Sequence, residues 1–188
     1  MFGDGLSRRA AVLEQSFAYE TDLRLVEQAR RDFERQQDIE AISEATQITD
    51  QTILVELINC GVRADSLHIL TLLPLVHVAW AGGHIDRAER LAILAAAEGE
   101  GVRSDSPGYQ ILDGWLRNRP HPALIKTWKD YVGAIRLFVA PNTYETLRQN
   151  TLSRARQVAE AAGGFLGFQR VSRAEEAALS ELNEAFFH

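Results

Sequence analysis

Cysteine and proline are scarce in this sequence, and basic side chains are outnumbered by acidic ones. The one cysteine, Cys60, cannot form an internal disulfide. We expect Cys60 to be a small buried hydrophobic residue and the protein to be in a reducing compartment. Five prolines in 188 residues favour helices over many short strands and turns. The net charge of −6 argues against nucleic acid as a main ligand, because affinity for nucleic acid comes largely from neutralising phosphates.

Charged side chains are missing from residues 66–85, a stretch close to the roughly 20 residues that a membrane span needs. This stretch contains Pro74, three histidines and the pair Gly82-Gly83, which favour a buried central helix over a span. The first fifteen residues also lack the apolar core of a signal peptide. We therefore expect a cytoplasmic protein without a membrane span.

Residues 6–45 contain neither proline nor glycine and have an apolar residue at every seventh position, which predicts a long amphipathic helix. The recurring residues are Val12, Tyr19, Val26 and Phe33. The positions between them are Ser16, Leu23, Arg30 and Gln37. A coiled coil needs both rows to be apolar, and only Leu23 in the second row is strongly so. The helix is therefore expected to lie along its own bundle, with pairing between chains as the alternative.

Capping residues, prolines and glycines divide the remaining chain into further predicted helices. These span about 51–60, 67–81, 87–98, 107–118, 123–139, 141–162 and 173–187. Pro74 is expected to kink the second of them. No segment alternates cleanly enough to predict a strand. The sequence thus predicts an all-α, multi-helix bundle, with an N-terminal helical extension over 1–62 and a helical domain over 63–188.

Two stretches of the chain resemble each other: residues 84–93 read HIDRAERLAI and residues 170–179 read RVSRAEEAAL. Each follows an Ala-Gly-Gly sequence and has a capping residue three positions before a glutamate. Asp86 with Glu89, and Ser172 with Glu175, are therefore expected to close reciprocal capping boxes at the starts of two helices. This repetition predicts an internal duplication about an approximate twofold axis.

Residues 73–90, LPLVHVAWAGGHIDRAER, resemble the signature of the TerB-like family, which is named for tellurite resistance. Residues 162–176, AGGFLGFQRVSRAEE, resemble a variant second copy, and the similarity covers about 67–187. The resemblance implies a pseudo-twofold helical bundle, divalent-cation binding through acidic residues, and a role in stress response or larger assemblies. The family's aspartate falls on Gly82 here, and its glutamates fall on Glu89 and Glu175.

Catalytic patterns are missing from the sequence. It has no Ser/His/Asp or Cys/His signature, no phosphate-binding glycine pattern, and no pair of histidines spaced for a metal on one helix. We expect His77 to pack on Trp80 or to bind a backbone carbonyl, and His84 to be solvated. An enzyme built on these two histidines is the least favoured hypothesis.

The favoured hypothesis is a non-enzymatic scaffold or protein-interaction module, which binds a protein partner or a second copy and requires no cofactor. Its predicted partner-binding residues are Phe165, Leu166 and Phe168, in a glycine-flanked loop. If exposed, they form an apolar patch for a partner; if buried, they close the bundle. The alternative is a divalent-cation-binding module, and its predicted ligands are Asp86, Glu89 and Glu175.

Overall fold

The computed structural model describes residues 4–59, 61–161 and 171–187, with side chains from residue 19 onward. The α-helices are α1 (Asp4–Thr46), α2 (Gln51–Asn59), α3 (Leu73–Ala79), α4 (Arg87–Gly99), α5 (Pro107–Arg117), α6 (Pro122–Ile135), α7 (Pro141–Ala161) and α8 (Arg173–Glu184). Two 3₁₀ helices, Ala64–Thr71 and Trp80–Gly82, flank α3. These described residues contain no strand, so the predicted all-α, multi-helix bundle is confirmed.

Helix starts are set by side chains that accept hydrogen bonds from otherwise unpaired backbone N–H groups. Before α2, the Asp50 carboxylate accepts from the N–H of Thr52 at 2.8 Å. Before α5, the Ser106 hydroxyl accepts from the N–H of Tyr109 at 3.2 Å, and Pro107 follows as the first helical residue. Such caps stabilise helix ends by about 1 kcal/mol each, which is why the predicted starts agree with those observed.

The predicted kinked helix over 67–81 is instead two elements. The 3₁₀ helix ends at Thr71, and α3 begins at Leu73 with Pro74 as its second residue. Proline is favourable there because the first N–H groups of a helix have no acceptor within it. No single helix in the described chain is long and apolar enough to span a membrane. Ala64–Thr71 and Leu73–Gly82 meet that test only jointly, with a bend of 44°.

The short helix α3 lies at the centre of the bundle and packs against α4, α6, α7 and α8. All of its residues except His77 are buried, which explains why this part of the chain carries no charge. Ile42, Leu54 and Leu57 belong to the same hydrophobic core as α3. The core therefore begins with the last turns of α1 and continues through α2, N-terminal of residue 63.

Residues 19–37 of α1 stand clear of the bundle apart from a hydrogen bond at 3.0 Å from Arg35 to Asn59. Side chains 19–37 are exposed except for half-buried Glu27, and burial begins at Ile39 and Ile42. Only the end of the helix packs, against α2 and the first 3₁₀ helix. The expectation that α1 lies along its own bundle is therefore wrong for residues 19–37, which we call the arm.

Candidate functional site

The arm exposes large apolar side chains that no part of the described bundle covers. Four of them, Tyr19, Leu23, Val26 and Phe33, are between 51% and 67% exposed. At about 100° per residue, these four side chains fall within roughly 80° of one another around the helix. They lie along one face of the helix, the arm stripe, which is about four turns long and is interrupted by Arg30 between Val26 and Phe33. Exposed apolar side chains on one face of a helix make a candidate interaction surface.

The arm stripe lies on the opposite side of α1 from the residues that bind the bundle. Ile42 follows Val26 by sixteen positions, which places the two side chains about 160° apart around the helix. Ile42 is fully buried against the bundle, whereas Val26 is 67% exposed. One straight helix cannot turn both faces toward the same bundle. The face of α1 that carries the stripe is therefore not covered by the bundle, even at the residues where the helix begins to pack.

Ion pairs along the arm support its helical conformation where its side chains are exposed. Glu27 accepts hydrogen bonds from Arg30 at 2.9 Å and from Arg31 at 3.0 Å, and these bonds lower the pKa of its carboxyl group. Arg30 also lies 3.6 Å from Glu34. Such pairs, three or four residues apart, stabilise a helix that has no neighbours to pack against.

Both predicted capping boxes are formed, and they bring two buried glutamates together. Asp86 accepts from the N–H of Glu89 at 2.8 Å, and its own N–H donates to the Glu89 carboxylate at 2.8 Å. Ser172 and Glu175 exchange the same two bonds, at 3.2 and 2.6 Å. Glu89 and Glu175 are only 4% and 7% exposed, and they lie close enough for Glu175 to raise the pKa of Glu89.

The environment of Glu89 disfavours its charged form. Burial is the main cause, and it raises the pKa of Glu89 from the ordinary 4.5 to about 7. The hydrogen bond from Asp86 acts in the opposite direction, while the nearby negative charges of Asp86 and Glu175 add to the increase. Near neutral pH, a proton therefore occupies Glu89 in a substantial fraction of molecules.

The predicted cation ligands are only partly brought together. The structure brings Glu89 close to Glu175, but each already accepts a backbone hydrogen bond within its own capping box. Within residues 4–59, 61–161 and 171–187, no group of three or more histidine, cysteine, aspartate or glutamate side chains is arranged to hold a metal ion. Cation binding through Asp86, Glu89 and Glu175 stays a prediction.

A second polar cluster joins α3, α6 and α8, and the sequence analysis did not identify it. His77 Nε2 lies 3.1 Å from one oxygen of Glu181, and Lys129 donates to the other oxygen at 2.6 Å. Burial raises the pKa of Glu181, but hydrogen bonds from Lys129 and His77 outweigh it and leave the pKa below its ordinary value. The expected carbonyl partner of His77 is therefore corrected to a carboxylate. Packing of His77 on Trp80, the other expectation, stays a prediction, and both side chains line one groove.

This cluster borders an open groove of about 630 Å³ between α3 and the start of α6. Trp80 and Ile125 contribute apolar walls and Arg119 a positive charge. The described residues that line the groove include no serine, threonine or cysteine. His84, the other histidine of the enzyme hypothesis, is exposed and does not line the groove.

The predicted partner-binding residues Phe165, Leu166 and Phe168 lie outside the described residues, and so does Cys60. The described chain exposes other large apolar side chains, and four of them form the arm stripe; the others are Leu25, Leu91, Leu137, Phe138 and Phe187. The signal for the arm stripe was present in the sequence as the seven-residue recurrence of Tyr19, Val26 and Phe33. The contact between His77 and Glu181 has no local signal, because these residues are 104 positions apart.

Comparisons of the chain with protein-family models, with curated proteins and with solved structures find no match. The TerB-like resemblance therefore rests on the residues of the chain itself.

Proposed function

We propose that this protein is a non-enzymatic helical module that binds a protein partner through the arm of α1. The observation that carries the proposal is the arm stripe, which is exposed, apolar and turned away from the bundle. Several large apolar side chains exposed on one face of a helix are a feature of surfaces that bind a partner. The bundle supplies a rigid base, since Ile39 and Ile42 anchor the end of α1 in the common core.

Kinship with TerB-like proteins is part of the same proposal. The two matching stretches both start helices with complete capping boxes, and this shared local structure supports the kinship. A duplicated architecture, a cytoplasmic location and a role in stress response or tellurite resistance rest on the resemblance and on composition. The arm lies outside the resembling region and would be the feature that adapts this chain to its partner.

Site-specific photo-crosslinking in the native host tests the proposed function. Tyr19, on the stripe, is replaced by p-benzoylphenylalanine, which keeps an aromatic ring at that position. Gln28 is replaced in the same way as a control, because it is exposed and lies about 180° around the helix from Tyr19. We expect a discrete covalent adduct from position 19 and little from position 28. Equal labelling from both faces, or no adduct, would contradict the proposal.

A further inference from the structure

We propose that the partner is a second copy of this chain, paired antiparallel through the arm stripe. This inference rests on the proposed function and adds the identity and orientation of the partner. It follows from the spacing of the stripe, the distribution of charge along the arm, and the free face of α1.

The arm stripe is complementary to itself when two copies run in opposite directions. Tyr19, Val26 and Phe33 are spaced by seven residues, so Val26 is at the midpoint. A twofold axis beside Val26 sets Val26 against Val26 and places Tyr19 of one copy against Phe33 of the other. Closed twofold pairs use the same patch on both copies, and contacts between aromatic side chains are stabilising.

Charge along the arm favours the antiparallel orientation. About the axis at Val26, residues 19–25 of one copy lie beside residues 27–33 of the other, and their net charges are −1 and 0. Antiparallel pairing therefore places Arg30 of each copy opposite Asp22 of the other, close to the stripe. Parallel pairing sets like beside like, and it brings the two Arg30 side chains together next to the seam.

The bundle leaves room for the second helix. The face of α1 that carries the stripe continues through Gln37, Glu40 and Glu44, and all three side chains are exposed. A second helix can therefore run along α1 past the point where the bundle starts. Four apolar side chains per copy make a contact smaller than the roughly 800 Å² per partner of a standard interface. We expect a dimer that dissociates on dilution through the micromolar range.

Sedimentation equilibrium of the purified full chain tests the dimer with two matched variants. Val26→Glu alters the stripe and Gln28→Glu alters the opposite face. Both positions are exposed, and each variant gains one negative charge. Glutamate has a higher helix propensity than valine. A loss of dimer in Val26→Glu therefore cannot be attributed to unfolding of the helix. We expect the wild type and Gln28→Glu to reach twice the chain mass of 21.0 kDa at high concentration, and Val26→Glu to stay at 21.0 kDa.

Disulfide trapping in a Cys60→Ala background tests the orientation. Tyr19→Cys mixed with Phe33→Cys should form a covalent dimer, whereas Tyr19→Cys alone should not. The reverse result would overturn the antiparallel arrangement.

The mass of the photo-adduct from position 19 separates this inference from the proposed function. An adduct of twice 21.0 kDa supports both. An adduct of another mass, with a wild-type chain that sediments as a monomer, overturns the second copy but leaves the interaction module. No adduct and no dimer overturn both.

Discussion

Replacing Glu89 by glutamine should stabilise the protein at alkaline pH and leave its stability unchanged at acidic pH. Glutamine keeps the side-chain oxygen that accepts the Asp86 N–H, so the capping box at the start of α4 is retained. Glutamine cannot ionise, so the substitution removes the negative charge that the Glu89 carboxyl group acquires at high pH. The variant therefore isolates the ionisation of one buried side chain that lies close to Glu175.

The size of the effect follows from the pKa of Glu89 in the two states. An unfolded chain releases the proton near pH 4.5, whereas the folded chain holds it to about pH 7. The folded state binds more protons between these values, so its free energy of unfolding falls as pH rises through that window. The full difference corresponds to about 3 kcal/mol. The stabilisation from protonated Glu89 is complete below pH 4.5 and lost above pH 7.

Urea unfolding followed by tryptophan fluorescence at a series of pH values measures this effect, with Trp128 buried in the core as a reporter. The difference between Glu89→Gln and wild type should grow from near zero at acidic pH to about 3 kcal/mol above neutrality. Glu98→Gln is the matched control, because Glu98 is an exposed glutamate on the same helix. It should change stability by less than about 0.5 kcal/mol at every pH. A Glu89→Gln difference that is independent of pH would refute the reasoning.

Three further predictions concern stability. Asp86→Ala and Ser172→Ala should each lower the free energy of unfolding by about 1 kcal/mol in urea titrations, because each removes a helix cap. Leu75→Ala should cost about 2–5 kcal/mol in the same assay because it opens a cavity in the core. The exposed Leu25→Ala should stay within about 0.5 kcal/mol. A chain that starts at Gln37 should keep its melting temperature in circular dichroism, since side chains 19–36, which it lacks, are exposed except for half-buried Glu27.

The helices and their starts could be predicted because their signals are local. A capping residue and the N–H group that it binds are two or three positions apart, so Asp86 with Glu89 and Ser172 with Glu175 are visible in the sequence. Pro74 shows the limit of this approach. The same proline fits a kink within one helix or the first turn of a new one, and packing around α3 decides between them.

The polar contacts between helices could not be predicted, because their partners are distant in sequence. His77, Lys129 and Glu181 belong to three helices, and their meeting depends on how α3, α6 and α8 pack. The proximity of Glu89 to Glu175 depends on packing in the same way. The likeness of the two capping boxes is visible in the sequence, but their proximity and its effect on the pKa of Glu89 are not.

The exposure of the arm can be predicted from the sequence when the angular positions of the apolar residues around the helix are compared before and after residue 33. The seven-residue recurrence of apolar residues stops there, because the next position is Glu40. Ile39 and Ile42 then supply apolar side chains on the other side of the helix. The two apolar faces lie about 160° apart, so one bundle cannot cover both of them. The bundle covers the second face, and the first stays exposed, which is the observation behind the proposed partner site.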